Sequence, residues 1–102
     1  MIDMDWIIAQ IKENRYFFSQ HADEERMNDN LLISEVEESL LAGTVLESYP
    51  DDARGESCLV VGFTQQGKPI HAVCGRSGER LVVITVYIPS PPKFINPYTR
   101  GT

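Results

Sequence analysis

A chain of 102 residues, 42% hydrophobic and 24% charged, has the size expected of one domain spanning 1–102, with no room for a second, and the composition of an ordinary soluble globular protein, with no sign of disorder. Its net charge of −6 disfavours RNA as a partner, because the phosphate backbone is densely negative. No apolar run approaches the ~20 residues of a membrane span, and the opening MIDMDWII lacks the basic cluster and cleavage site of a signal peptide, so a cytoplasmic protein is expected.

The first predicted element is a helix over residues 3–14. Asp3 or Asp5 can cap it, and Trp6, Ile7 and Ile11 lie near helical spacing. Tyr16-Phe17-Phe18 reads as a short aromatic link. Ser19 then caps a second helix over 19–28, which Asp29-Asn30 breaks. Ser34 and Glu37 have the spacing of a capping box for a third helix over 34–42, with Val36, Leu40 and Leu41 as its buried stripe and Gly43 as a left-handed stop.

After Gly43 the period changes from helical to alternating. Strands are expected over 44–49, 57–64, 69–75 and 80–88, joined by turns that contain Gly55, Gly67 and Gly78. The last is the most apolar and is expected to be central. The Pro-rich tail, 89–102, cannot be a central strand, because its prolines lack amide donors. Phe94, Ile95 and Tyr98 are costly to leave in water, so the tail is expected to fold back across the sheet. The resulting fold class is α+β: three short helices packed on a four-stranded antiparallel meander.

Charge is uneven along this layout. Residues 23–56 carry eleven acids against only Arg26 and Arg54, whereas from Gly67 onward five bases face the single acid Glu79. One face could therefore bind an anion while the molecule as a whole stays negative. Arg76, Arg80, Lys93 and Arg100 are the candidates for such phosphate or anion binding. No cofactor signature is present, since the chain lacks a glycine-rich phosphate loop. Cys58 and Cys74 are read as reduced and structural. With no Cys-x-x-Cys and only two histidines, no metal site is expected; zinc would require paired strands to bring Cys58, Cys74 and His71 together.

Four residues carry the candidate chemistry. His21 and Glu25, at i and i+4, share a helix face and can pair. Arg26 lies five residues from His21, which on a helix turns its side chain about 140° away. His71 sits in an apolar strand with Pro69 and Val73 on its face, and on that face Thr85 and Tyr87 could join it. Each has a plain structural alternative: a helix-start histidine, an ion-pair clamp at Arg26, a satisfied buried His71, and a Tyr87 that caps a core edge.

His21-Ala22 followed by Glu25-Arg26-Met27, Ile33-Ser34-x-x-Glu37, Gly43, Glu47-x-Tyr49-Pro50, Leu59-Val60-x-Gly62, Lys68 to Val73 and Ile84-Thr85-x-Tyr87-x-Pro89 stand in this order. In that order and spacing the chain resembles the bacterial family of domain of unknown function 4258, over roughly residues 18–100. The resemblance implies no established activity. It implies a layout similar to RelE/ParE-like and BrnT-like toxins, many of which cut messenger RNA, although such toxins are usually basic and this chain is acidic. Two functions follow as expectations. The first is a protein-binding or regulatory module without catalysis, engaging a protein partner or a second copy of itself. The alternative is a metal-independent endoribonuclease in which His21 and His71 act as acid and base, an arginine (Arg26, Arg76, Arg80 or Arg100) steadies the phosphoryl charge and Tyr87 stacks on a base or donates to phosphate.

Overall fold

The computed structural model describes residues 1–101; Thr102, the last residue of the expected tail, lies outside the described residues. The first helix, α1 (Met4–Lys12), starts where the Asp3 carboxylate accepts the Trp6 N–H at 2.9 Å, and it buries Ile7 and Ile11. The second, α2 (Gln20–Asn28), is capped by the Ser19 hydroxyl, which accepts the Ala22 N–H at 3.0 Å. Ala22 is the only residue of α2 that is fully buried.

The third helix, α3 (Ile33–Leu41), buries Val36 and Leu40 as the pattern requires, but its cap differs from the expected Ser34–Glu37 box. The helix begins one residue ahead of Ser34. Glu35 reaches back to accept the Leu32 N–H at 2.9 Å, and Glu37 is left to accept the Tyr16 hydroxyl. Nor does Gly43 adopt a left-handed stop, since it is not among the residues of positive φ. A side chain there would run into Val60 and the Ser39 carbonyl. Gly62 answers the same need from the sheet, where a Cβ would overlap the Ser39 carbonyl. The two glycines let α3 lie directly on the backbone of its strand neighbours.

The sheet corrects the expected architecture. Tyr16–Phe18 is a strand, β1, and it pairs in parallel with the last long strand, Phe17 facing Val82. With β2 (Thr44–Tyr49), β3 (Ser57–Phe63), β4 (Pro69–Ser77) and β5 (Arg80–Tyr87) it makes a mixed five-stranded sheet in the order β1-β5-β4-β3-β2, in place of a four-stranded antiparallel meander. Three residues are too few to show a strand period, and only the free edge of β5 makes them a strand. β5 is thereby an interior strand, while β4 takes the middle place.

Alternation along the strands sorts two layers. Cys58, Val60, Ile70, Ala72, Cys74, Leu81, Val83 and Val86 face the helices and form the core with Ile7, Ala22, Leu31, Val36 and Leu40. The opposite face has no helix among the described residues, yet Leu59, Val61 and His71 on it are also buried. The tail folds back there as a small hairpin, β6 (Phe94–Asn96) with β7 (Thr99–Arg100), in which Phe94 stands opposite Arg100. Phe94 is 2% exposed, whereas Ile95 and Tyr98 remain in solvent, so one of the three expected apolar anchors carries the seal.

Candidate functional site

His71 lies on the tail side of β4, directly opposite Tyr87 in the β4–β5 ladder, and is fully buried. Its Nε2 is 2.7 Å from the Pro97 carbonyl oxygen and its Nδ1 is 3.1 Å from the Tyr87 hydroxyl. A carbonyl only accepts, so Nε2 carries the proton of the neutral ring, and Nδ1 accepts the Tyr87 O–H. The His71 ring meets Phe94 edge to face, with centroids 4.4 Å apart. Burial holds the His71 pKa below its ordinary value and raises that of Tyr87.

A second polar group adjoins this pair. Arg100 donates from Nε to Glu47 Oε2 at 2.6 Å and from Nη2 to Oε1 at 2.8 Å, a two-pronged clamp between tail and β2. Tyr49 donates its hydroxyl to the same carboxylate. The Arg100 hydrogen bond pushes the Glu47 pKa down to about 2. The Arg100 guanidinium also lies 5.0 Å from the centre of the Phe94 ring. Tyr87, Pro92, Lys93, Phe94, Arg100 and Gly101 line a shallow cleft of ≈ 340 Å³ at the border.

Of the expected site residues, His71, Tyr87 and Arg100 thus meet in one cluster, with Lys93 at its rim. The others do not join them. His21, largely exposed, pairs with Glu25 at 3.3 Å on α2, whose Ala22 belongs to the core on the other side of the sheet. Arg26 holds Asp23 at 2.6 Å and the Leu31 carbonyl at 3.0 Å, clamping the joint between α2 and α3. Arg76 stacks on Trp6 at 4.4 Å, and Arg80 on Phe17 at 4.7 Å. His21 and His71 therefore belong to separate hydrogen-bond networks.

The chemistry this arrangement allows follows from its donors and acceptors. Both ring nitrogens of His71 are engaged, one by the chain's own tail. With the tail seated, the imidazole has no lone pair to offer a substrate. Cys58 and Cys74 face each other on the helix side, away from His71, and burial pushes the Cys58 thiol up to about 11 and Cys74 higher still. Among the described residues no group of three or more metal-ligating side chains occurs.

Glu47, Tyr49 and Pro97 belong to the cluster and were not among the expected site residues, although Glu47 and Tyr49 stand in one of the motifs that carry the family resemblance. Glu47 and Tyr49, two apart on one strand, also share a face. A sequence separation of 53 between Glu47 and Arg100 hides their pairing.

Two further surfaces are open. A groove of ≈ 540 Å³ crosses the uncovered part of the tail-side face, floored by Val73, Gly75, Val82 and Ile84 and rimmed by Asp52, Arg54 and Glu56. On the helix side Met27, Leu32, Ile33 and Leu41 are exposed by 54%, 63%, 45% and 40%. No helix among the described residues is long and apolar enough to cross a membrane.

The family model described as Domain of unknown function (DUF4258) matches residues 18–88, from the end of β1 through β5. His71 and Tyr87 fall inside the match; Phe94, Pro97 and Arg100 fall outside it. No curated protein and no solved structure matches the chain.

Proposed function

The chain belongs to the DUF4258 family, and we propose that it acts as a protein-binding module without catalysis, docking a basic, amphipathic segment of a partner on the surface formed by α2 and α3. The observation that carries this reading is the exposure of Met27, Leu32, Ile33 and Leu41 within 15 residues of one another. Ile33, Glu37 and Leu41 follow at steps of four along α3, so two of these apolar side chains lie on one stripe of the helix. Large apolar side chains gathered on a surface mark interaction sites more often than singly scattered ones do. The acids Glu24, Asp29 and Glu38 belong to the same helical stretch, and the net charge of −6 favours approach of a basic partner. The engagement of His71 by the tail supports the non-catalytic half of the reading.

The test places a photo-reactive residue at Leu32 in the full-length protein in cells, with Arg54, 92% exposed on the sheet side, as the control position. A cross-linked protein with a basic amphipathic segment, captured from position 32 and lost in an Ile33→Asp, Leu41→Asp background, is the expected result. Identical adducts from both positions, or adducts that survive the aspartates, would sink the reading.

A further inference from the structure

The tail is attached to the sheet at a few points, and each point is a recognisable chemical contact. Phe94 buries its ring against His71. The Pro97 carbonyl accepts the His71 Nε2–H, and Arg100 grips the Glu47 carboxylate with two hydrogen bonds. The hairpin brings Phe94 and Arg100 side by side, with Pro97 at its turn. Leu59 and Val61, apolar and buried, lie on the same sheet face as His71, which no helix among the described residues covers.

We infer that this sheet face is a recognition cleft for a turn-forming peptide of a partner protein, occupied in this structure by the chain's own tail as a stand-in. The seated tail defines the chemistry of the ligand. It is a short hairpin that presents an aromatic ring and an arginine on adjacent arms, with a free carbonyl at the turn. The His71–Tyr87 pair reads the carbonyl, Glu47 with Tyr49 reads the guanidinium, and the aromatic ring fills the space over His71. The region that reads the ligand lies within residues 18–88, the part matched by the family model, whereas the tail lies beyond it. A partner must displace a ligand tethered to the same chain, whose effective concentration through a linker this short is on the order of millimolar. The tail therefore acts as a built-in competitor that sets the threshold for binding. This inference concerns the face opposite α2 and α3 and does not depend on the docking surface proposed above.

The probe is a fluorescent, end-capped peptide with the sequence of residues 90–101, titrated into the full-length protein. Against the double variant Phe94→Ala, Arg100→Ala, whose own tail has lost two of its contacts, the peptide is expected to bind at least tenfold more tightly than against the parent protein. Adding Glu47→Ala to that variant, or replacing the arginine of the peptide by alanine, should abolish the gain. Equal affinity for parent and variant overturns the inference, as does a gain that survives Glu47→Ala. Should the double variant fail to fold by circular dichroism, Arg100→Ala alone, at an exposed residue, must show a gain of at least threefold; no gain there also overturns it. A parent protein that is dimeric by light scattering and becomes monomeric with Arg100→Ala would instead assign the cleft to the tail of a second copy, and the partner reading would fall.

Discussion

His71 and Tyr87 face each other across the β4–β5 ladder, and the Tyr87 hydroxyl gives its proton to the lone pair of His71 Nδ1 over 3.1 Å. That hydrogen bond, together with the one from Nε2 to Pro97, fits the neutral ring. Protonation would put a second N–H against the Tyr87 oxygen and a charge in a fully buried place.

Stability should therefore fall on mild acidification. The folded pKa of His71 lies below the unfolded value of about 6.5. Over the interval between the two values the unfolded chain binds more protons, so stability is present in full above that unfolded value and is lost as the pH falls toward the folded one. The groups facing the ring are Glu47, which favours its charge, Arg100, which opposes it, and the neutral Tyr87. His71→Gln can still donate to Pro97 without titrating. Melting temperatures between pH 7.5 and 5 should decline for the parent protein and stay level for the glutamine variant; parallel curves would refute the assignment.

Glu47 governs a lower window. Its pKa is pushed down to about 2, chiefly by Arg100, so its contribution is complete above the ordinary carboxylate range and is lost as the pH falls from about 4.5 toward about 2. Glu47→Gln should flatten this acid limb while leaving the His71 limb in place. Urea unfolding at pH 3 and pH 5 measures the difference, and an unchanged pH 3 to 5 gap in the variant would count against the Glu47–Arg100 clamp.

Gly62→Ala should be severely destabilising for its size. The added methyl would overlap the Ser39 carbonyl of α3, a backbone atom that can move only with its helix. Overpacking of this kind costs about 1–3 kcal/mol. Alanine at Gly55, where nothing lies nearby, meets only the strain of a positive φ. Denaturant midpoints of the two variants should separate, with Gly62→Ala the lower.

Ser19→Ala should loosen the joint between β1 and α2. The hydroxyl accepts the Ala22 N–H at 3.0 Å as the cap of α2 and donates to the Ile84 carbonyl at 2.8 Å, so one side chain holds both helix and sheet. Loss of such a cap costs about 1 kcal/mol. Hydrogen exchange of the α2 amides should quicken in the variant, and unchanged protection would show that the cap is dispensable.

Much of this fold is legible along the chain because its signals are local. Asp3 and Ser19 cap the helices that begin beside them, and the alternation of Val60, Ala72 and Val83 against Leu59, His71 and Val82 is a property of extended backbone itself. The pairing of His21 with Glu25 follows from a spacing of four on a helix. From this local chemistry the α+β class, the three helices, the four long strands and the return of the tail could be read directly.

Contacts between distant residues were decided only by the tertiary structure. β1 is a strand because β5 offers Tyr16–Phe18 an unpaired edge, and three residues have no period of their own to show it. Ser34 has the right neighbours for a cap, yet the helix starts at Ile33, because Glu35 rather than Glu37 turns back and Glu37 meets Tyr16 from another element. The site follows the same rule. His71 and Tyr87 could be placed on one face from alternation, but the Pro97 carbonyl and the Arg100–Glu47 clamp join atoms far apart in the chain. Local backbone geometry chose the elements, and burial of Phe94 with complementary charge at Arg100 and Glu47 chose which face the tail would close.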